Sequence, residues 1–184
     1  MRLICCFLFC IVLVGCATPR IVVLSDPLTA REHNDLGGSY EAAGQLDLAL
    51  KSYAAAADKD RSWDQPLINL GNAHAALGDW EQAARSYQGA LKRNPENPEA
   101  MNNLAYAFSN LEKPREALEW SGRAVNAEPG NPLFKATLAL ALAQTGEREK
   151  ALALLDETLQ ALPPGDALYG QMSALRDRIA IESF

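Results

Sequence analysis

Beyond position 16 the chain has no cysteine; all four, Cys5, Cys6, Cys10 and Cys16, stand at its beginning. A disulfide framework, a thiolate zinc site and a thiol nucleophile are therefore excluded from everything that follows. Histidine is almost as scarce. His33 and His74 are the only two, and a metal centre or acid–base pair needs more convergent ligands than these supply. Glycine forms no phosphate-binding loop, since Gly37-Gly38 has no lysine behind it. Basic runs are missing too: 17 Lys and Arg stand against 23 Asp and Glu, a net charge of -6. That balance lacks the electrostatic footprint of a nucleic-acid binder or of a protein held by anionic lipid. No catalytic residue, metal, cofactor or nucleic-acid partner is expected.

What the sequence does have is a period. Leu36-Gly37, Leu70-Gly71, Leu104-Ala105 and Leu138-Ala139 repeat a large–small pair every 34 residues. Ala49, Ala83, Ala117 and Ala151 recur at the same interval, as do Pro95, Pro129 and Pro163. Self-similarity of this length is that of a helix–turn–helix unit stacked on its own copies, whose product is a surface rather than a pocket. Setting each pair at positions 7 and 8 gives units 30–63, 64–97, 98–131 and 132–165. In the second, Leu70, Gly71 and His74 share one face of the first helix, and Ala83, Tyr87 and Ala90 share one face of the second. The small residues let the two helices approach, and the large ones fill the space around that contact. Ser121 and Thr158, at the corresponding places of the later units, predict looser packing there.

Turn residues agree with the period. Gly44, Gly78 and Gly146 each follow a first helix and supply a residue able to take positive φ. The third unit has Glu112-Lys113-Pro114 instead, where the proline suits the first turn of the next helix. Residues 166–184 read as one more helix, with Leu168, Met172, Leu175 and Ile179 in a stripe that covers the end of the stack.

On these residues the chain resembles the tetratricopeptide-repeat family over 30–165. The resemblance implies an all-α, right-handed superhelical solenoid with 166–184 as a capping helix, and a non-enzymatic role in protein–protein interaction. Partners of such proteins lie along the first helices of the units, and the matching positions here are Asn34, Glu41, Ile68, Asn69, Asn72, Asn102, Asn103 and Tyr106. Amides carry both donors and acceptors for an extended peptide backbone, although Asn69 and Asn103 equally suit bonds between neighbouring helices. Tyr106 is the natural aromatic anchor. Trp63 and Trp80 read as packing residues, and His74 as core-facing. The carboxylate clamp of some family members has little to match it, with only Arg31 and Lys135 on that face. The expected partner is a neutral or mildly basic protein or peptide segment, held by a monomeric repeat domain.

The chain begins with Met1-Arg2, an apolar run from Leu3 to Val14, and Leu13-Val14-Gly15-Cys16. One positive charge before about a dozen apolar residues makes a secretory signal, too short to stay across a bilayer. The segment resembles a bacterial lipoprotein signal with its lipobox. That implies cleavage between Gly15 and Cys16, loss of 1–15, and acylation of Cys16 by diacylglycerol and a chain such as palmitate. Residues 16–29 then form a tether. Two or more acyl chains make a lasting anchor. Ala17, in place of an aspartate behind the cysteine, implies the periplasmic face of the outer membrane in a Gram-negative cell. The whole reads as a membrane-anchored scaffold of the bacterial envelope. Its alternatives are a pilotin-like assembly factor for a secretin, pilus or cell-wall enzyme complex, and a self-associating structural array.

Overall fold

Residues 26–163 and 165–181 are described by the computed structural model of the chain; Gly15, Cys16 and the rest of the leader lie outside them. Thr29 opens the first helix with a reciprocal cap. Its hydroxyl accepts the Glu32 N–H at 3.2 Å while the Glu32 carboxylate accepts the Thr29 N–H at 2.7 Å. Among the described residues nine α-helices follow: α1 (Ala30–Ala42), α2 (Leu46–Lys59), α3 (Gln65–Ala76), α4 (Trp80–Arg93), α5 (Pro98–Asn110), α6 (Pro114–Ala127), α7 (Pro132–Gln144), α8 (Arg148–Ala161) and α9 (Ala167–Ile181). They pair as α1–α2, α3–α4, α5–α6 and α7–α8, each pair stacks on the next, and α9 packs on α7 and α8. This is the all-α solenoid expected, with a helix closing its end. None of the described helices is long and apolar enough to cross a membrane.

The turn inside each pair is the same bond made four times. The N–H of Gln45, Asp79, Lys113 and Glu147 reaches back to the carbonyl of Tyr40, His74, Phe108 and Leu142, at 2.8 to 2.9 Å. Closing that loop needs a residue with positive φ, and Gly44, Gly78 and Gly146 provide it. In the third pair the place falls to Glu112, with φ 56. A side chain there costs about 1–2 kcal/mol that glycine avoids. Glu112 is exposed, so Glu112→Gly removes strain and little else. It should raise stability by about 1 kcal/mol, read as a higher urea midpoint; an unchanged or lower midpoint would refute the strain.

Within each pair the seam is set by matched volumes. The Tyr53 ring lies over Gly37 and the Tyr87 ring over Gly71; a Cβ on either glycine would meet the ring at 2.6 Å and 2.4 Å. Only glycine leaves room for tyrosine. In the third and fourth pairs the same places hold Ala105 with Ser121 and Ala139 with Leu155, so the larger small residue meets a smaller partner. Ser121 and Leu155 are both fully buried. The looser packing expected from Ser121 and Thr158 is not what the structure has. Both are buried, and their hydroxyls donate to the carbonyls of Ala117 and Leu154 at 2.7 Å, which satisfies the polar atom without a gap.

Junctions between pairs rely on proline at the helix start, as at Pro98 and Pro132. The first junction, 60–64, leads likewise to Pro66 in the first turn of α3 and is knitted further by Arg93. That guanidinium donates to the carbonyls of Ala57, Asp60 and Trp63 at 2.7 to 3.1 Å. At the chain's entrance Asp26 is held from two sides. His33 Nε2 lies 2.5 Å from its carboxylate and Lys59 Nζ 3.2 Å away. The His33 bond above all holds the Asp26 carboxyl down at about 2. Lys59 also donates to the carbonyls of Asp26 and Leu28.

Candidate interaction face

The odd-numbered helices α1, α3, α5 and α7 lie side by side, and the amides singled out from the sequence stand in the second and third turns of α1, α3 and α5. On the N-terminal half these amides bond to one another. Asn69 Nδ2 donates to Asn34 Oδ1 at 2.9 Å, and Gln65 Nε2 donates to Asn69 Oδ1 at 3.1 Å. Asn103 Nδ2 donates to Asn72 Oδ1 at 3.1 Å, and the Tyr87 hydroxyl reaches the same oxygen at 2.8 Å. The result is a ladder from α1 to α3 and from α3 to α5. Asn69 and Asn103 thus take the structural role that was one of their two expectations. Glu41 accepts the Tyr53 hydroxyl at 2.6 Å. Burial, and after it this carboxylate, push the Tyr53 phenol up.

Ile68 does not belong on this face. It is wholly buried, in one apolar cluster with Tyr87, Ala100 and Leu104. Its place in the repeat matches that of Asn34 and Asn102, but an apolar β-branched side chain there turns into the contact between α3 and its neighbours. His74 is half-buried rather than fully enclosed, with Nδ1 3.6 Å from the Asp79 carboxylate; burial lowers its pKa, against the pull of Asp79. Trp63 and Trp80 are partly buried, as packing residues should be. Trp80 also meets Tyr106 edge to face, with ring centroids 5.7 Å apart.

The C-terminal half is different in kind. A cleft of about 380 Å³ opens between α5, α7 and α9. Asn102, Asn103 and Tyr106 form one wall, Leu133, Ala136 and Leu140 the second, and Gln171, Leu175 and Arg178 of α9 the third. A smaller cleft of about 160 Å³ shares Tyr106, Leu140 and Arg178 with it and adds Ser109, Asn110 and Gln144. Tyr106 is 45% exposed and Leu133 47%. The amides of this half are only partly paired: Asn102 Nδ2 donates to Asn103 Oδ1 at 3.3 Å. Asn102 Oδ1, Ser109 Oγ and Gln144 Oε1 are buried atoms without a hydrogen-bond partner among the described residues. Such atoms are costly to leave unpaired.

Asn102, Asn103 and Tyr106 are therefore brought together, whereas Asn34, Glu41, Asn69 and Asn72 serve the ladder and the seams. Sequence reasoning missed the α9 wall, since its stripe of buried residues hid the fact that the adjacent face of the same helix looks into the cleft. Among the described residues no group of three or more His, Asp, Glu or Cys side chains converges as a metal site. What the face offers is apolar area, hydrogen-bonding groups and one cation, which is the chemistry of holding a chain rather than of transforming a substrate.

Tetratricopeptide-repeat family profiles match residues 68–132 and 132–157. No curated protein sequence matches the chain. Solved structures do. Pseudomonas aeruginosa PilF aligns at a TM-score of 0.70 with 22% identity, over 84% of this chain and 69% of that one. MamA from Desulfovibrio magneticus aligns at 0.68 with 21% identity, over 82% of this chain and 89% of that one. The second repeat domain of human RPAP3, solved in complex with the HSP70 peptide SGPTIEEVD, aligns at 0.59 with 20% identity, over 61% and 93%. At such identities the likeness is one of fold.

Proposed function

We propose that this chain, which has the tetratricopeptide-repeat fold, is a non-enzymatic scaffold that holds a segment of another protein along its odd-helix face. One observation carries the reading: at the α5–α7–α9 cleft an exposed aromatic stands beside apolar walls and buried polar atoms with nothing to bond. The RPAP3 domain, solved with a peptide, lends the reading support through its common fold. The segment is neutral or mildly basic over the polar ladder, where Glu41 lies in a chain of net charge -6. The docking site is tested with a partner recovered by crosslinking in the native membrane. Tyr106→Ala should weaken that partner's binding by about 1–2 kcal/mol and leave the melting temperature within a degree or so, because the side chain is half exposed. Unaltered affinity, with binding lost instead to charge changes on the outer surface of the even-numbered helices, would move the site to that surface.

The scaffold is anchored in the bacterial envelope through Cys16, at the periplasmic face of the outer membrane. Support comes from Leu13-Val14-Gly15-Cys16 at the close of an apolar run, with Ala17 behind it. Cells fed a clickable fatty acid should label the wild-type protein and leave the Cys16→Ser variant dark. Equal labelling of the two would end the lipoprotein reading. The same anchored face also suits a pilotin-like assembly role, in which the bound segment belongs to an envelope complex under construction.

A further inference from the structure

Charge along the face runs against the charge of the chain. The sequence has 23 acidic residues and a net charge of -6, yet no Asp or Glu lines either of the two joined clefts. Their one charged group is Arg178, which lines both and a third, shallower one beside them. The other α9 arginine within the described helix, Arg176, is engaged by Asp156 at 2.5 Å and by Asp177 at 3.5 Å. Arg178 is exposed and has no carboxylate within salt-bridge distance among the described residues. Behind it stand the polar atoms without partners. Ser109 is 4% exposed, its Oγ unbonded, and Gln144, which lines the same small cleft, has its Oε1 buried and unbonded while its Nε2 donates to the Ser109 carbonyl at 3.2 Å. Asn102 Oδ1 is the third, in the larger cleft.

Taking the odd-helix face as the docking surface, we infer that α9 is a wall of the site as well as a cover for the stack, and that the cleft takes a peptide segment in which a large apolar side chain stands next to an aspartate or glutamate. The apolar side chain lies between Leu133, Leu140 and Leu175, and the neighbouring carboxylate meets Arg178. A guanidinium suits this task because its planar donors grip a carboxylate in two places. The acidic group is a side chain within the segment, since a cleft open along its length does not require a chain end. This sharpens the expectation of a neutral or mildly basic partner: such a segment carries one acidic contact at its α9 end.

The test is selection from a phage-displayed library of random dodecapeptides fused at their C-termini, so that no free terminal carboxylate is available, using the full chain solubilised in detergent. Wild-type protein should enrich sequences with Leu, Ile, Phe or Met within two positions of Asp or Glu. Fluorescence anisotropy of a selected peptide should then show about a tenfold loss of affinity for Arg178→Glu, substantial recovery in Arg178→Lys, and weakening with added salt for wild type and Arg178→Lys but not for Arg178→Glu. Arg178 is exposed, so the variants should melt as the wild type does, and circular dichroism checks this. Enrichment of apolar residues without acidic neighbours, or equal binding by Arg178→Glu, overturns the inference while Tyr106→Ala sensitivity keeps the docking face. Failure to select any peptide, or selected peptides that ignore Tyr106→Ala, overturns both.

Discussion

Replacing Tyr87 with alanine should lower the unfolding free energy by about 3–5 kcal/mol. The ring is 3% exposed and lies directly over Gly71, so its removal empties a space that no neighbouring side chain can fill. Glycine opposite has nothing to move into it. The hydroxyl is lost as well, and with it one of the two bonds to Asn72 Oδ1; the other comes from Asn103. Tyr87→Phe separates the two contributions and should cost only about 1 kcal/mol. Urea unfolding followed by circular dichroism measures both. The contrast with Tyr106→Ala is the useful part, because the same aromatic area is deleted from a buried seam in one case and an open face in the other. A loss below about 1 kcal/mol for Tyr87→Ala would mean that the Gly–Tyr seam does not hold the second pair together.

Ending the chain at Pro164 should lower stability by several kcal/mol and drive association. Two side chains dominate the loss: Met172, 2% exposed, and Ile179, fully buried, each worth about 1.5–3 kcal/mol. Ile179 shares a cluster with Ala139, Ala143, Ala151 and Leu155, and without α9 that seam faces water. End units of a stacked array aggregate when their apolar face is bare. A melting curve together with the mass in solution decides the matter. If the shortened chain melts at the same temperature and stays monomeric, α9 is an appendage and its buried stripe contributes nothing.

Periodicity made the fold legible because every unit solves one packing problem in the same way. Leu70-Gly71 and Ala83 could be read as a seam from their spacing, and the glycine turns from their position, since both follow from local geometry repeated four times. Glu112 broke the glycine pattern, yet the backbone keeps the same conformation there. Three neighbouring units fix the turn more strongly than one side chain can resist. The face was less readable. Ile68, Asn34 and Asn102 hold equivalent places, and only their chemistry sends the first into the core. An amide in the sequence does not reveal whether its partner is another amide or a ligand; Asn69 and Asn102 differ in this, and their surroundings decide it. Arg178 could not be assigned to the cleft at all, because its neighbours α5 and α7 lie more than 30 residues away in the chain. The hold of Lys59 on Asp26, 33 residues apart, is equally non-local.

That hold has a mechanical meaning. If the chain is held through Cys16 as proposed, a tug on its cargo passes as tension through Asp26. The grip of Lys59 and His33 delivers the tension to α1 and α2 together, across the Gly37–Tyr53 contact, instead of peeling α1 away alone. Beyond them Asn34–Asn69, the α2–α3 packing and the bonds of Arg93 to Ala57 and Asp60 carry the pull onward. A cargo held at the α5–α7–α9 cleft would load every pair between it and Asp26 in series, so the interface that yields first is the weakest one along that path.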